Sequence, residues 1–134
     1  MGLEYTGIRV RDLARARRFY TEGLGLRSVR SGRMAAGGLW EELEDPVTHV
    51  LLELNFYPDD PPYREGDELD HLGFHVDDLA ATVDRLVRLG AKVRIPAFED
   101  AGVRLAFVSD PDGVWIELFE GASAEGAPTS QSVD

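Results

Sequence analysis

Two stretches of the chain alternate between less polar and more polar residues at every position. The less polar positions are Thr6, Ile8 and Val10 in the first stretch and Leu72, Phe74 and Val76 in the second. The intervening positions are Tyr5, Gly7 and Arg9, and then His71, Gly73 and His75. A period of two is typical of a β-strand with one buried face and one open face. The pattern therefore predicts strands at residues 5–10 and 71–76.

A helical pattern follows each of these strands. Asp12 and Asp78 stand just before it, and aspartate is a favoured N-cap because its side chain accepts hydrogen bonds from free backbone N–H groups. Gly23, Gly25 and Gly90 come near the ends of the two patterns, where glycine suits a left-handed C-terminal cap. We expect each helix to cover the apolar face of its strand and to leave the polar face on a concave side.

The rest of each half reads as further strands. The first half has apolar-rich runs at residues 39–43 and 47–56, separated by a turn at Asp45-Pro46. In the second half such runs occupy residues 93–95, 103–108 and 114–119, and Asp110-Pro-Asp-Gly113 predicts a hairpin turn. Each half is thus expected to contain a strand, a helix and then about three strands.

The two halves also resemble each other in sequence. Residues 5–14 recur as residues 71–80 with five of the ten positions identical, and Leu52-Glu53-Leu54 aligns with Ile116-Glu117-Leu118. A duplication follows as the first hypothesis. If the two copies pack about a pseudo-twofold axis, Tyr5, Glu53, His71 and Glu117 could converge, and a histidine with two glutamates is a plausible first shell for a divalent metal.

This organisation predicts a single domain over residues 1–120. Module one occupies residues 1–57, a Pro-rich and acidic connector follows at 58–70, and module two occupies 71–120. Residues 121–134 are rich in small residues, and we expect them to form a disordered tail.

Composition limits the possible functions. The 134 residues are 43% hydrophobic and contain no cysteine, so the chain can bury a core without disulfides, and cysteine zinc sites and thiol catalysis are excluded. The net charge of −11 opposes binding to a phosphate backbone, so nucleic acid is not an expected partner. No apolar run approaches the length of a membrane span and no signal peptide is apparent, so we expect a cytoplasmic protein without a membrane partner.

Five motifs together carry a family resemblance. They are Tyr5-Thr-Gly-Ile-Arg-Val-Arg-Asp-Leu13, Phe19-Tyr20 with Gly23-Leu-Gly-Leu26, Leu52-Glu-Leu54, Asp70-His-Leu-Gly-Phe-His-Val-Asp-Asp78 and Asp110-Pro-Asp-Gly-Val-Trp-Ile-Glu-Leu118. The chain resembles the vicinal oxygen chelate superfamily of glyoxalases, bleomycin resistance proteins and extradiol dioxygenases, and most of all the glyoxalase I-like proteins. The resemblance implies an α+β fold of two tandem βαβββ modules that form a cupped, barrel-like sheet with the helices outside, usually within a homodimer.

The resemblance also implies a site. Its metal ligands correspond to His71, Glu117 and Glu53, with Tyr5 as a fourth candidate that departs from the usual histidine or glutamine. The implied cofactor is one divalent ion of nickel, zinc, manganese, iron or cobalt. The implied activity is that of a lyase or isomerase on a small substrate with vicinal oxygens, through a metal-stabilised enediolate.

Within that activity, Glu117 and Glu53 are the candidate catalytic carboxylates, and either could move the proton. Arg9 aligns with an arginine that holds a substrate carboxylate, and Trp115 is a second candidate substrate contact.

Two other functions stay open. One is a metal-free protein that sequesters a cationic drug, like the bleomycin resistance proteins; the acidity of the chain and the stacking surfaces of Tyr5, Trp40, Trp115 and Phe119 favour it. The other is an extradiol-type dioxygenase, which is less favoured because Tyr5 breaks the expected ligand pattern. The sequence does not decide the substrate, the metal, or whether the site lies within one chain or across a dimer.

Overall fold

The computed structural model describes residues 1–35, 37–58, 62–64, 66 and 68–121. The chain forms two compact units, Met1–Glu65 and Gly66–Asp134. Each unit combines a four-stranded mixed sheet with helix, which confirms the α+β class and the two βαβββ modules. Neither four-stranded sheet closes on itself, and a common barrel-like sheet stays a prediction.

The first unit contains β1 (Thr6–Val10), α1 (Leu13–Arg18) with a π-helical extension (Phe19–Gly23), β2 (Arg27–Arg33), β3 (Leu39–Glu44) and β4 (Leu51–Phe56). The strands lie in the order β1-β4-β3-β2; β1 is parallel to β4 and the other pairs are antiparallel. Asp12 caps α1 by accepting a hydrogen bond from the backbone N–H of Arg15 at 3.0 Å. The core is built from the apolar side of the sheet and the helix, chiefly Val10, Phe19, Tyr20, Leu43 and Leu54.

The second unit repeats this plan with β5 (Leu72–Val76), α2 (Leu79–Arg88), β6 (Lys92–Asp100), β7 (Val103–Ser109) and β8 (Trp115–Glu120). Its strand order, β5-β8-β7-β6, is equivalent to that of the first unit. Asp78 caps α2 by accepting from the backbone N–H of Ala81 at 3.0 Å, and Gly90 follows the helix with a φ of 106°. The largest buried side chains are Leu79, Leu86, Val108, Ile116 and Leu118.

The structure corrects several predicted strand limits. Residues 47–50 belong to the turn, and the predicted strand 47–56 therefore begins at Leu51. The strand predicted at 93–95 is part of the longer β6, and no residues were assigned to β2, although about three strands were expected after the first helix. Both errors concern edge strands in which nearly every residue is exposed, so that no buried face imposes an alternating pattern.

Parts of the remaining predictions fall on residues that the structure does not describe. The predicted tail lies outside the described residues from position 122 onward, as do positions 59–61, 65 and 67 of the predicted connector. Among the described helices, none is long and apolar enough to cross a membrane.

Candidate active site

The first candidate glutamate lies in the middle of a row of residues that crosses the first sheet. Glu53 on β4 pairs with Gly7 on β1 at one side and with Glu42 on β3 at the other, and Arg30 on β2 pairs with Glu42. Paired residues project from the same face of a sheet. Because Gly7 has no side chain, Glu53 is not covered from the β1 side.

The charges in this row differ in their exposure. Glu42 is buried with 3% of its surface exposed, whereas the side chain of Arg30 is 66% exposed. Arg30 donates a hydrogen bond from Nε to Glu42 Oε1 at 3.0 Å. Burial raises the pKa of Glu53, the charge of Glu42 raises it further, and Asn55 and Arg30 offset part of this effect. Glu53 therefore binds a proton more readily than an ordinary glutamate.

The second candidate glutamate occupies the equivalent place in the second unit. Glu117 on β8 pairs with Gly73 on β5 and with Phe107 on β7, and Ile95 on β6 pairs with Phe107. Glu117 thus lies beside a glycine, like Glu53, but its neighbour across the antiparallel strand is aromatic.

His71 lies one residue before β5 and contacts Glu117. Its Nε2 atom is 3.3 Å from Glu117 Oε1, and its Nδ1 atom is 2.6 Å from Asp70 Oδ2. The imidazole also packs edge-on against Phe107, with ring centroids 5.6 Å apart. A carboxylate on one ring nitrogen is the usual way to orient a metal-binding histidine, so the other nitrogen points toward the ligand position.

The other predicted site residues have different surroundings. Tyr5 precedes β1 and is 46% exposed. The guanidinium of Arg9 lies over the rings of Tyr57 and Tyr63, 5.1 and 6.0 Å from their centroids. Trp115 lies at the start of β8 with Arg94 5.9 Å from its ring, and its ring centroid is 6.1 Å from that of Phe107.

The described residues of each unit contain part of the predicted ligand set. His71 and Glu117 meet in the second unit, and Glu53 belongs to the first. Within the described part of the chain, no group of three or more His, Asp or Glu side chains is arranged to hold a metal. The donors nevertheless suit a first-row divalent ion, because they are an imidazole nitrogen and carboxylate oxygens, and Asp70 already orients the imidazole. His71 and Glu117 in the second unit thus suit half of the ligand set of such a metal site.

Three residues near these glutamates were not predicted from the sequence: Asp70, Glu42 and Arg30. Asp70 directly precedes His71, so adjacency was an available signal. Glu42 lies across from Glu53 because the loop between β3 and β4 spans residues 45–50. A two-residue turn at Asp45-Pro46 would have placed Glu42 across from His49, so the predicted turn indicated the wrong partner.

Comparison with known proteins gives the family. The model of the glyoxalase/bleomycin resistance protein/dioxygenase superfamily matches residues 2–118. A probable lactoylglutathione lyase of Vibrio parahaemolyticus is 32% identical over 129 residues, which cover 90% of this chain and 91% of the relative. The lactoylglutathione lyase of Salmonella typhimurium is 32% identical over 133 residues, which cover 92% of this chain and 96% of the relative.

A solved structure agrees with these sequence relatives. The trypanothione-dependent glyoxalase I of Leishmania major has a TM-score of 0.75 and 28% identity, over 90% of this chain and 86% of that chain. These similarities support a glyoxalase-type function and confirm the family predicted from the five motifs. The chain belongs to the glyoxalase/bleomycin resistance protein/dioxygenase superfamily.

Proposed function

We propose that the protein is a divalent-metal-dependent lyase or isomerase of the glyoxalase I type, acting on a small substrate with vicinal oxygens. The observation that carries the proposal is the contact between His71 Nε2 and Glu117 Oε1 at 3.3 Å, with Asp70 on the opposite ring nitrogen. Glu53 repeats the position of Glu117 in the other sheet, again beside a glycine. The lactoylglutathione lyases of similar sequence support the same reaction class.

The ligands that we assign are His71, Glu117 and Glu53, with Tyr5 as a fourth candidate. A phenol has an ordinary pKa of about 10, which makes Tyr5 the weakest of these donors at neutral pH. A bound divalent ion of nickel, zinc, manganese, iron or cobalt would supply Lewis-acid polarisation of two adjacent substrate oxygens. Because the assigned ligands belong to both units, the proposed site needs two half-sites to combine, either within one chain or across a homodimer.

The protein's own contribution is proton transfer and orientation of the substrate. A glutamate beside the reacting carbon can accept the proton and return it to the neighbouring carbon. We assign Glu117 as a ligand because it faces His71, and Glu53 is our first choice for the proton transfer. We assign Arg9 to an anionic group of the substrate and Trp115 to a flat or apolar part of it.

The test is a turnover assay with thiol adducts of 2-oxoaldehydes. The metal-free full chain, reloaded separately with Ni(II), Mn(II) and Zn(II), should isomerise the adduct with at least one ion, and chelation should abolish the reaction. In protein saturated with the active ion, so that any loss of metal affinity is offset, Glu53→Gln should lower kcat by about 100-fold or more with a smaller change in KM, because it removes the proton-transfer group and keeps the shape. Tight binding of a cationic aromatic compound by the metal-free protein, without turnover of any adduct, would favour the sequestering function instead.

We also propose that the protein is a homodimer, as the family resemblance implies. Light scattering at micromolar concentration should give about twice the 14.8 kDa chain mass. A monomer mass would require both half-sites to lie within one chain.

A further inference from the structure

The Arg30–Glu42 pair is a feature of the first sheet without an equivalent in the second. At the matching positions the second sheet has Ile95 and Phe107. A buried carboxylate is costly unless it is paired, and Phe107 shows that the same sheet position accepts an apolar residue. The plan of the module therefore does not itself require a carboxylate at this position.

A β-bulge brings Arg30 onto the face that carries Glu53. The pairing of β2 with β3 shifts between Ser28 and Arg30, so Val29 is the extra residue. Residues three apart in a regular strand project to opposite faces, but the bulge lets Arg27 pair with Glu44 and Arg30 pair with Glu42. The local backbone thus aligns a cation, an anion and Glu53 in one row.

Glu42 and Arg30 shift the electrostatic potential at Glu53 in opposite directions, and the effect of Glu42 is the stronger. Glu42 is buried, so its charge acts through a medium of low polarity at the closest cross-strand position. Arg30 is mostly exposed and one strand farther away, so water and salt screen its charge more strongly. The net effect of the pair at Glu53 is an excess of negative potential, which favours a cation.

We propose that Glu42 and Arg30 are positioning residues that set the divalent-cation affinity of the Glu53 half-site without being ligands themselves. Glu42 raises the affinity, and Arg30 holds Glu42 in place and moderates the effect. The inference rests on the proposed role of Glu53 as a metal ligand.

The test is calorimetric titration of the metal-free full chain with Mn(II), Ni(II) and Zn(II) at neutral pH. Glu42→Gln keeps the shape and the acceptor for Arg30 but removes the charge, so it should weaken binding about tenfold. Arg30→Gln leaves Glu42 charged and removes the opposing cation, so it should tighten binding about threefold. Arg30→Lys keeps the positive charge and should bind within about twofold of wild type.

Glu41 offers a matched control. It is buried to 4% exposure one residue before Glu42, projects from the opposite face, and pairs with Arg17 at 2.8 Å. Glu41→Gln removes the same charge from a similar depth and should change metal affinity less than threefold, since its carboxylate lies across the sheet from Glu53.

The outcomes separate the inference from the proposed function. If wild type binds none of the three ions, the metal-dependent function fails and the inference with it. If wild type binds but Glu42→Gln and Arg30→Gln both weaken binding, the pair serves only to hold the sheet together and the inference is wrong. An equal loss in Glu41→Gln and Glu42→Gln would also overturn it, because net charge would then explain the effect. Circular dichroism of each metal-free variant shows that the compared proteins are folded.

Discussion

The two sheets have the same strand order and the same glutamate in the middle of their last strand, but the rows around the glutamates differ. In the first sheet the row runs Arg30, Glu42, Glu53 and Gly7. In the second it runs Ile95, Phe107, Glu117 and Gly73. The glycine and the glutamate are shared, whereas the residues on the two antiparallel strands have changed from charged to apolar.

This difference shows how two equivalent sheets can keep a glutamate at the same position and change its surroundings. The backbone of each module fixes where the glutamate lies and leaves one side open through the glycine. The cross-strand neighbour then decides the surroundings: Glu42 adds charge beside Glu53, and Phe107 packs against the imidazole that faces Glu117. Nearly symmetric folds can thus provide two unlike carboxylates, one beside a charged pair and one beside an oriented histidine.

Replacing Phe107 in the second row by glutamate, the residue at the equivalent position of the first row, should have the largest effect on stability. Phe107→Glu removes an aromatic contact with His71 and places a carboxylate directly opposite Glu117, where Ile95 provides no cation. We expect a loss of about 2 to 4 kcal/mol in the free energy of unfolding at neutral pH, measured by urea denaturation. Glu42→Phe, the reverse exchange in the first sheet, should cost less than about 1 kcal/mol or stabilise the protein.

Adding Ile95→Arg to Phe107→Glu gives the second sheet the equivalents of both Arg30 and Glu42. The double variant should recover about 1 kcal/mol relative to Phe107→Glu, because the new guanidinium pairs with the new carboxylate. If the double variant recovers no stability, or if Phe107→Glu is as stable as wild type, the neighbouring residues of a row do not determine which residues that row accepts.

The two hairpins that precede the glutamate strands make a second comparison. Both begin with Asp-Pro, but the left-handed position is Gly113, with a φ of 100°, in the second unit and His49, with a φ of 64°, in the first. A side chain strains the backbone in this region and glycine does not. His49→Gly should therefore stabilise the protein by about 1 kcal/mol, whereas Gly113→Ala should destabilise it by about 1 to 2 kcal/mol.

Thermal unfolding of the two hairpin variants is the measurement. His49 also contacts Glu44 at 3.4 Å, but an exposed pair of this kind contributes little. If His49→Gly lowers the melting temperature as much as Gly113→Ala does, the strain assigned to His49 is absent.

The smallest expected effect concerns the charge on Glu53. Its pKa is raised in the folded protein above the ordinary value of 4.5, so the folded state holds this proton more tightly than the unfolded state. Stability then decreases as pH rises through the window above 4.5, and the ionised group is unfavourable at neutral pH. Glu53→Gln should stabilise the metal-free protein at neutral pH by less than about 1 kcal/mol.

The pH dependence distinguishes charge from packing. The gain from Glu53→Gln should disappear below about pH 4, where Glu53 is protonated in both states. Glu117→Gln, which has Phe107 rather than a carboxylate across the strand, should gain less. A gain at Glu53 that persists at low pH would reject the electrostatic explanation.

Sequence patterns predicted the elements whose two faces differ in burial. Alternation identified the strands that became β1 and β5, and Asp12 and Asp78 marked the two helix starts, because burial and capping leave local signals. The strand β2 left no such signal, since six of its seven residues are exposed. The π-helical end of the first helix, Phe19–Gly23, was also not distinguishable from ordinary helix by its apolar spacing.

The candidate site was predictable only as far as the duplication reached. Repetition of the motifs made Glu53, His71 and Glu117 candidates, but Glu42 and Arg30 lie at positions where the two halves differ. Their closeness to Glu53 depends on strand register and on a bulge at Val29, which are properties of pairing between distant segments. Alternation with a period of two could not predict the face of the sheet from which Arg30 projects.

The measurement that tests the central claim most directly is the metal content of the purified full chain, prepared without chelators and reloaded with one ion at a time. We expect one divalent ion per chain in wild type and in Tyr5→Phe. We expect almost none in His71→Ala, Glu117→Ala or Glu53→Ala, because the proposed site takes all three side chains as ligands of one ion. A wild type without metal, or a Glu53→Ala variant that keeps a full ion with unchanged affinity, would contradict the claim that the two unlike glutamates serve one site.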